Sequence, residues 1–531
     1  GVILDLNGHR AEFGGFLNAG TLQDNASSGG QIYTRSGFNF TGGNSWTGID
    51  TLSTTDYIIT ASDSHYINAT PFKNIVLNTI GAPSFQNFAP DAGTSNLILA
   101  NGTINKFGND GSATGTMSVN NITIATGANM DNASLGPVIS CAGDFTTSGG
   151  LIGKSALDFD GSNDNVNCGN DSSLSLTNNF TLEAWIKPDT VSGEKTIISR
   201  GVTDNASSQY TFKLNSQQLR LTKEGVGNFD NGTNVITTTG KWYHVAVTVS
   251  SSDGIKFYVD GKLVGVDTNT SNCNSSSGNL LLGSRWNASE FFDGVIDMAR
   301  IFSDVRTESE IRADMFNAHA NMANTGNLVA MYQFDEGTGS TVDNIQGTAA
   351  NDGTISGASF VGAGTFTRGT STLTLTGANK TITYRGNTNV NNLVINGQYT
   401  LSSVDTTSRA IRIQGDTFTM DGDATVTSAA SQPIELFNSM AGGTFTLSAP
   451  STNIANLSKL KTEHTSGTIS IPTCTTGFLG CGGSGGTTQA GGDLTLTTEL
   501  EVNSGTTFNA NGNTIHVRRL DLNTGGTLDI R

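Results

Sequence analysis

The chain has 531 residues and a net charge of −17, with only 14% of its residues charged, against about 25% in an ordinary globular domain. That length suffices for roughly three domains of about 150 residues. The acidity argues against nucleic-acid binding, which needs a basic patch to neutralise phosphates, and no run reaches the ~18 apolar residues of a membrane-crossing helix. Gly, Asn, Ser and Thr stand in for the missing charges while apolar residues keep a period of two. This is the pattern of tight β-structure, not of disorder or of long helices.

Residues 1–150 read as many short strands. LDLNG (Leu4 to Gly8), YIIT (Tyr57 to Thr60), NIVLNTI (Asn74 to Ile80), LILANGTI (Leu97 to Ile104) and VNNITIATG (Val119 to Gly127) are separated by short gaps rich in Gly, Asn and Asp. The first residues are already strand-like, and the chain stops at LDIR, so it reads as a piece of a longer polypeptide.

Residues 151–362 change character. The strings SALDFDGSNDNV (from Ser155), FTLEAWIKP (Phe180), KWYHVAVTV (Lys241), IKFYVDGKLVG (Ile255), LLLGSRW (Leu280) and FFDGVIDMARIFS (Phe291) alternate apolar and polar residues, as half-buried antiparallel strands do. Three of the four tryptophans fall here. Physically this is a β-sandwich set into a more monotonous chain. TESEIRADMFNAHA (Thr307 to Ala320) is the one clear helix candidate. Together with LVAMYQFDEGTG (from Leu328), these ordered motifs resemble the laminin-G-like, concanavalin-A-type jelly roll. The resemblance covers about 150 residues and implies adhesion to glycan or protein more than catalysis.

Residues 363–531 return to the first idiom. STLTLTGANKTITYRG (Ser371 to Gly386) is followed by VNNLVINGQYTL (Val390 to Leu401), a near copy of VNNITI before the sandwich, and LDLN (Leu520 to Asn523) echoes the start. An imperfect repeat of this kind predicts β-solenoid arms in which each coil covers the next, with Thr and Asn facing out or forming ladders. A string of small sandwiches is the alternative reading. The fold class expected is therefore all-β, with solenoid arms flanking a jelly roll, and the Gly-rich borders TSGG and VGAGT act as hinges. Open solenoid ends would aggregate unless capped, so self-association, as a trimer or fibre, is expected.

The resemblance implies a structural calcium ion held by Asp160 and Asp297, with Asp164 contributing, since a hard cation takes oxygen ligands. Trp286 and Tyr210 are candidates for stacking on a sugar, whereas Trp185 and Trp242 lie in strongly alternating strands and belong to the core. Cys474 and Cys481 flank a short loop, and Cys168 and Cys273 both lie in the sandwich; free thiols and one or two disulfides are both open, while the spacing is not that of a zinc site. A retaining glycosidase needs two carboxylates about 5 Å apart. Here Glu183 stands alone, and Asp421 and Asp423 read as a turn. The six histidines are scattered, and no nucleophile or metalloprotease motif is present.

The sequence thus points to a non-catalytic, extracellular adhesive protein. It presents a lectin-like domain to a cell-surface glycan from a virion appendage or, alternatively, from a bacterial surface adhesin. A glycan depolymerase is the less favoured reading.

Overall fold

The computed structural model describes residues 3–13, 20–23, 30–34, 46–47, 55–60, 65–68, 72–80, 85–89, 95–104, 116–131, 138–202, 207–322, 325–346, 351–367, 372–390, 392–404, 411–413, 417–420, 425–427, 434–438, 444–448, 459–464, 468–471, 474–483 and 485–531. A strand with apolar residues at every second position must bury one face, and in the arms parallel stacking provides the cover. One sheet passes through Arg10–Phe13, Gln31–Thr34, Asp56–Ile59, Asn74–Asn78, Asn96–Ile104, Ile122–Ala125 and Phe145–Gly149, each strand parallel to the next. A second runs from Thr116–Val119 to Thr527–Asp529, and a third from Thr388–Val390 to Ile515–Val517. After residue 371 the strands of the second sheet begin at residues 372, 392, 417, 444, 468, 487, 507 and 527, so one coil takes 19 to 27 residues. The arms are a β-solenoid, as their periodicity predicts.

The two arms are one stack. Phe145–Gly149 pairs in parallel with Lys380–Tyr384, Val138–Cys141 with Thr372–Leu375, and Ala128–Asp131 with Thr365–Thr367. Inward residues from both sides, among them Ile75, Leu99, Ile124, Leu375, Leu393 and Phe508, share one core. Beside that core runs a polar ladder. Asn74 donates to Asp56 (2.8 Å), Asn96 to Asn74 (3.0 Å) and Asn121 to Asn96 (2.9 Å), so each side-chain amide satisfies its neighbour one coil away.

The insertion is a jelly roll of two antiparallel sheets. The first orders Lys262–Asp267, Gly254–Val259, Tyr243–Ser250, Phe180–Pro188, Asp293–Phe302, Leu157–Asp160 and Ser359–Phe360. The second orders Gly227–Asp230, Gln218–Lys223, Tyr210–Asn215, Glu194–Gly201, Asn279–Leu282, Asn165–Asn167, Gly353–Ser356 and Thr341–Val342. Leu182, Ala184 and Ile186 meet Phe212, Leu214 and Leu221 between them. The helix is shorter than its pattern suggests, Glu308–Asp314, opened by a capping box of Thr307 and Glu310.

The outer face of the first sheet lies on the solenoid. Trp185 and Trp242 are buried, as their strands predict, but in this contact and not between the sheets. They pack with Val295, Met298 and Phe316 against Tyr33, Ile58, Val76 and Ile98 of successive coils. Polar links seal the seam: Asn78 Nδ2 donates to the Trp242 carbonyl (2.7 Å), Asn101 Nδ2 to that of Gly240 (2.7 Å), Lys187 Nζ to that of Thr126 (2.8 Å) and Arg312 Nη2 to that of Gly8 (2.8 Å).

The borders of the insertion are pinned and are not hinges. Gly149 has φ +107°, and any side chain there would strike the Gly362 carbonyl of the returning strand. Gly364 N donates to the Thr147 carbonyl at 3.1 Å. Arg385 reaches from the next coil to the carbonyls of Ser148 (3.3 Å) and Gly337 (2.8 Å). A jelly roll joined at one seam and two tight crossings has no free pivot.

Candidate functional site

Burying the first sheet against the solenoid leaves the outer face of the second sheet open. Its outward positions are charged. Tyr210, Phe212 and Leu214 point into the core, so Lys213 between them points out. By the same alternation Arg220 and Thr222 stand outside Leu219 and Leu221. The loop from Ser284 to Glu290 and the turn after Lys223 rise over this face and enclose a cleft of about 350 Å³ lined by Glu194, Lys213, Thr222, Glu224, Arg285 and Glu290 among others.

The charges form an unbroken alternating chain. Asp230 is held bidentately by Arg220 (2.7 and 2.8 Å), whose Nη1 reaches Glu194 (2.8 Å). Lys213 Nζ bridges Glu194 (3.1 Å) and Glu290 (2.7 Å). Arg285 bridges Glu290 (3.1 Å) and Glu224 (2.7 Å), and Glu224 also accepts from Thr211 Oγ1 (2.8 Å). Lys213 and Glu224 are 3% and 2% exposed, so the floor of the cleft is a preorganised polar surface shielded from competing water. Two non-glycine residues of the rim, Ala288 (φ +55°) and Glu290 (φ +53°), take the left-handed conformation, which costs of order 1–3 kcal/mol each and fixes Glu290 over Lys213. Burial pushes the Glu194 carboxyl up, but Lys213 outweighs it and holds the group below the usual carboxylate range.

Trp286 stands at the edge of this network. Its indole N–H donates to Glu224 (3.3 Å), and the Arg285 guanidinium lies 4.9 Å from its ring centroid. It is half-buried, with Arg285 over one face. Tyr210 does not join it. The ring is fully buried between the sheets beside Phe180, and its hydroxyl donates to the Leu174 carbonyl (3.4 Å), because position 210 has core parity on its strand. Tyr210 is corrected from a surface to a core residue.

The three aspartates read as calcium ligands are not brought to one point. Asp160 and Asp164 share a turn, where Asp164 accepts the Asp160 amide (2.8 Å) and Asp160 accepts that of Ser162 (2.8 Å). Asp160 sits opposite Asp293 in the sheet, so Asp297, four residues further on, is about 13 Å away along the strand at ~3.3 Å per residue. Its carboxylate accepts the amides of Leu151 (3.0 Å) and Ile152 (3.3 Å) at the solenoid seam. Burial and the nearby Asp335 raise it well above its ordinary value. The trio does not fit a single calcium site. Among the described residues no group of three or more His, Cys, Asp or Glu is arranged to hold a metal ion.

Of the two readings open for the cysteines, the free thiol holds for four of them. Cys168, Cys273 and Cys481 are free and buried, as is Cys141. Cys474 and Cys481 lie in one strand, Cys474–Gly483; seven extended residues separate them by roughly 23 Å, far beyond disulfide reach. The turn with Asp421 and Asp423 lies outside the described residues. Glu183 is not alone: it is fully buried, 3.6 Å from each of Arg300, Arg306 and His244, as a structural ion cluster. The cleft residues were missed because they come from four separate segments. The available signal was the row of charges at outward positions in FKLN, LRLTKE and SRWNASE.

No curated protein sequence matches the chain significantly. Among solved structures, it is similar to a Bacteroides ovatus protein described as carbohydrate-binding, at 21% identity and TM-score 0.33, covering 40% of this chain and 60% of that one. It is also similar to domain 4 of AbnA, an extracellular GH43 arabinanase from Geobacillus stearothermophilus, in complex with arabinotriose, at 24% identity and TM-score 0.23, covering 27% and 69%. A heptameric SAP-like pentraxin from Limulus polyphemus is similar at 16% identity and TM-score 0.29, covering 39% and 94%. A family model described as the Concanavalin A-like lectin/glucanases superfamily matches residues 160–312. The inserted jelly roll is thus a concanavalin A-like domain carried on the side of a β-solenoid.

Proposed function

We propose that the chain is an adhesive, glycan-binding protein whose jelly roll takes saccharide in the Lys213–Glu290 cleft. The observation that carries this reading is the cleft itself: buried, fixed donors and acceptors, with an amphipathic tryptophan at the edge, on the sheet that faces away from the solenoid. Hydroxyl-rich ligands are bound by such preplaced polar groups at low ordering entropy. The family model supports a lectin-like role, and its description also includes glucanases. Cleavage would need a carboxylic acid free to give up a proton to the leaving group, whereas Glu194 is paired with Lys213 and Arg220, and Glu224 and Glu290 with Arg285. These contacts favour binding over hydrolysis.

The mounting supports display. Coils spaced about 4.8 Å apart build a rod, and a head fixed to its flank keeps one orientation. We place such a head on an extracellular appendage, a virion fibre or spike, with a bacterial surface adhesin as the alternative. There self-association of the rod multiplies weak single-site affinity. The full chain on a glycan array tests the reading. Saturable saccharide binding that falls at least tenfold in Lys213→Met and in Glu224→Gln is expected; a folded protein that binds no glycan, or releases reducing ends from one, overturns it.

A further inference from the structure

A second cleft, of about 400 Å³, opens where the solenoid meets the jelly roll, within the ~300–1,000 Å³ range of small-molecule sites. Arg10 and Tyr33 form its solenoid wall, and Lys241, Tyr243, Asp260 and Lys262 its jelly-roll wall. None of its residues lines the Lys213–Glu290 cleft. In a chain of net charge −17 its balance is reversed. Arg10, Lys241 and Lys262 face two carboxylates, those of Asp260 and of Glu12, and Glu12 bridges Arg10 and Lys262 (2.9 Å each). Asp260 is committed inward, accepting the His244 amide at 2.9 Å.

Arg10 is held as a receptor group would be. Its side chain is 9% exposed, its guanidinium carbon lies 3.4 Å from the Tyr33 ring centroid, and its Nη1 donates to the Asp260 carbonyl (2.7 Å). These contacts fix the plane of the group yet leave Nε–H buried with no hydrogen-bond partner. Threonine and asparagine side chains of both walls, Thr60, Asn234 and Thr238 among them, supply the hydroxyl and amide groups that sugar hydroxyls need.

We propose that this interdomain cleft is a second saccharide site, selective for carboxylate-bearing sugars of the uronic-acid class. The Lys241 ammonium on the rim receives the carboxylate in the positive field of Arg10, and Tyr243 provides an apolar wall. The site exists only because the jelly roll is seated on the solenoid, so neither module carries it alone. This inference does not depend on the Lys213–Glu290 cleft.

The test is calorimetric titration of the full chain with trigalacturonate, with maltotriose, sodium acetate and sodium phosphate as comparison ligands. Saturable trigalacturonate binding is expected, at least tenfold tighter than maltotriose and weakening with salt. Arg10→Gln and Lys241→Gln should each lower the affinity at least fivefold. Lys241 lies on the rim, so its variant reports even if Arg10→Gln does not fold. Absence of trigalacturonate binding, or unchanged affinity in Lys241→Gln, overturns the proposal. So does acetate or phosphate binding as tightly as trigalacturonate, which would mark a simple anion site. Loss of trigalacturonate affinity in Lys213→Met with retention in Lys241→Gln would place the acidic sugar in the other cleft and also overturn it.

Discussion

Asp144 and Thr381 are 237 residues apart in the chain and one hydrogen bond apart in space: the Asp144 carboxylate accepts the Thr381 amide at 2.7 Å. The same residue's own amide donates to Asn121 (2.7 Å), so the polar ladder of the first coils passes over the whole insertion into the coils that follow. The coils on either side of the insertion pair directly with each other.

Removing residues 151–362 and closing the gap with a short loop should therefore leave a folded solenoid. Excision alone uncovers Ile58, Val76 and Ile98 and is expected to give self-association. Excision combined with threonine at these three positions should give a dispersed protein with a β-rich circular dichroism spectrum and cooperative melting. An unfolded product in the second case would show that the coils depend on the head.

The seam between rod and head is the next target. Ile98→Asp places an unpaired charge under Trp185 and Trp242 and should destabilise the seated state by about 2–4 kcal/mol. Differential scanning calorimetry is expected to resolve two transitions in the variant where the parent shows one. A single unshifted transition would contradict a load shared across the seam.

Two buried carboxylates give opposite pH dependences. Burial pushes Glu183 up, but Arg306, His244 and Arg300 outweigh it and hold it at about 2. Its contribution is present above the unfolded value near ~4.3 and is lost as pH falls toward 2. Asp56, raised to about 6 chiefly by burial against the opposing Lys73 and Asn74, contributes fully below ~3.9, and that contribution is lost as pH rises through 6. Denaturant melts from pH 2 to 8 should show Glu183→Gln destabilised by about 3–5 kcal/mol at neutral pH with a flatter acid limb. Asp56→Asn should gain about 1–3 kcal/mol at pH 8 relative to pH 4. Parallel pH profiles for parent and variants would refute both assignments.

The cysteines give a simple check. Burial pushes Cys141, Cys168, Cys273 and Cys481 each up to about 12, so these four thiols should not react with a thiol reagent in the native protein and should all react in denaturant without prior reduction. Native labelling, or a need for reductant, would show that a pair is bridged or open to solvent.

Much of this architecture can be read in one dimension. Period-two apolar residues with Gly and Asn turns determine strands, and the near copies VNNITI and VNNLVI determine that the same stack resumes after the insertion, because each coil can only be covered by one like itself. The ordered motifs from LDFDG to GVIDMARIF determine the jelly roll. Even the seam left a trace: DYII, NIVLN and NLILA are apolar without alternation, while TLTL and TITY in later coils alternate. A strand buried on both faces loses its polar positions, and Asp56–Ile59 and Asn74–Asn78, under the head, are buried along their whole length.

What the sequence leaves open is which face meets which. Trp185 and Trp242 read from the sequence as core of the sandwich, and only the docking of sheet on solenoid assigns them to the seam. Tyr210 and Lys213 are three residues apart, and strand parity places one in the core and one in the cleft. Arg10 and Lys241 meet across 231 positions because the coils and the jelly roll share a boundary. Local periodicity fixes which residues are buried. The partners that bury them, and the clefts that remain between them, are decided by the tertiary structure, because they depend on contacts far apart in the chain that no local pattern encodes.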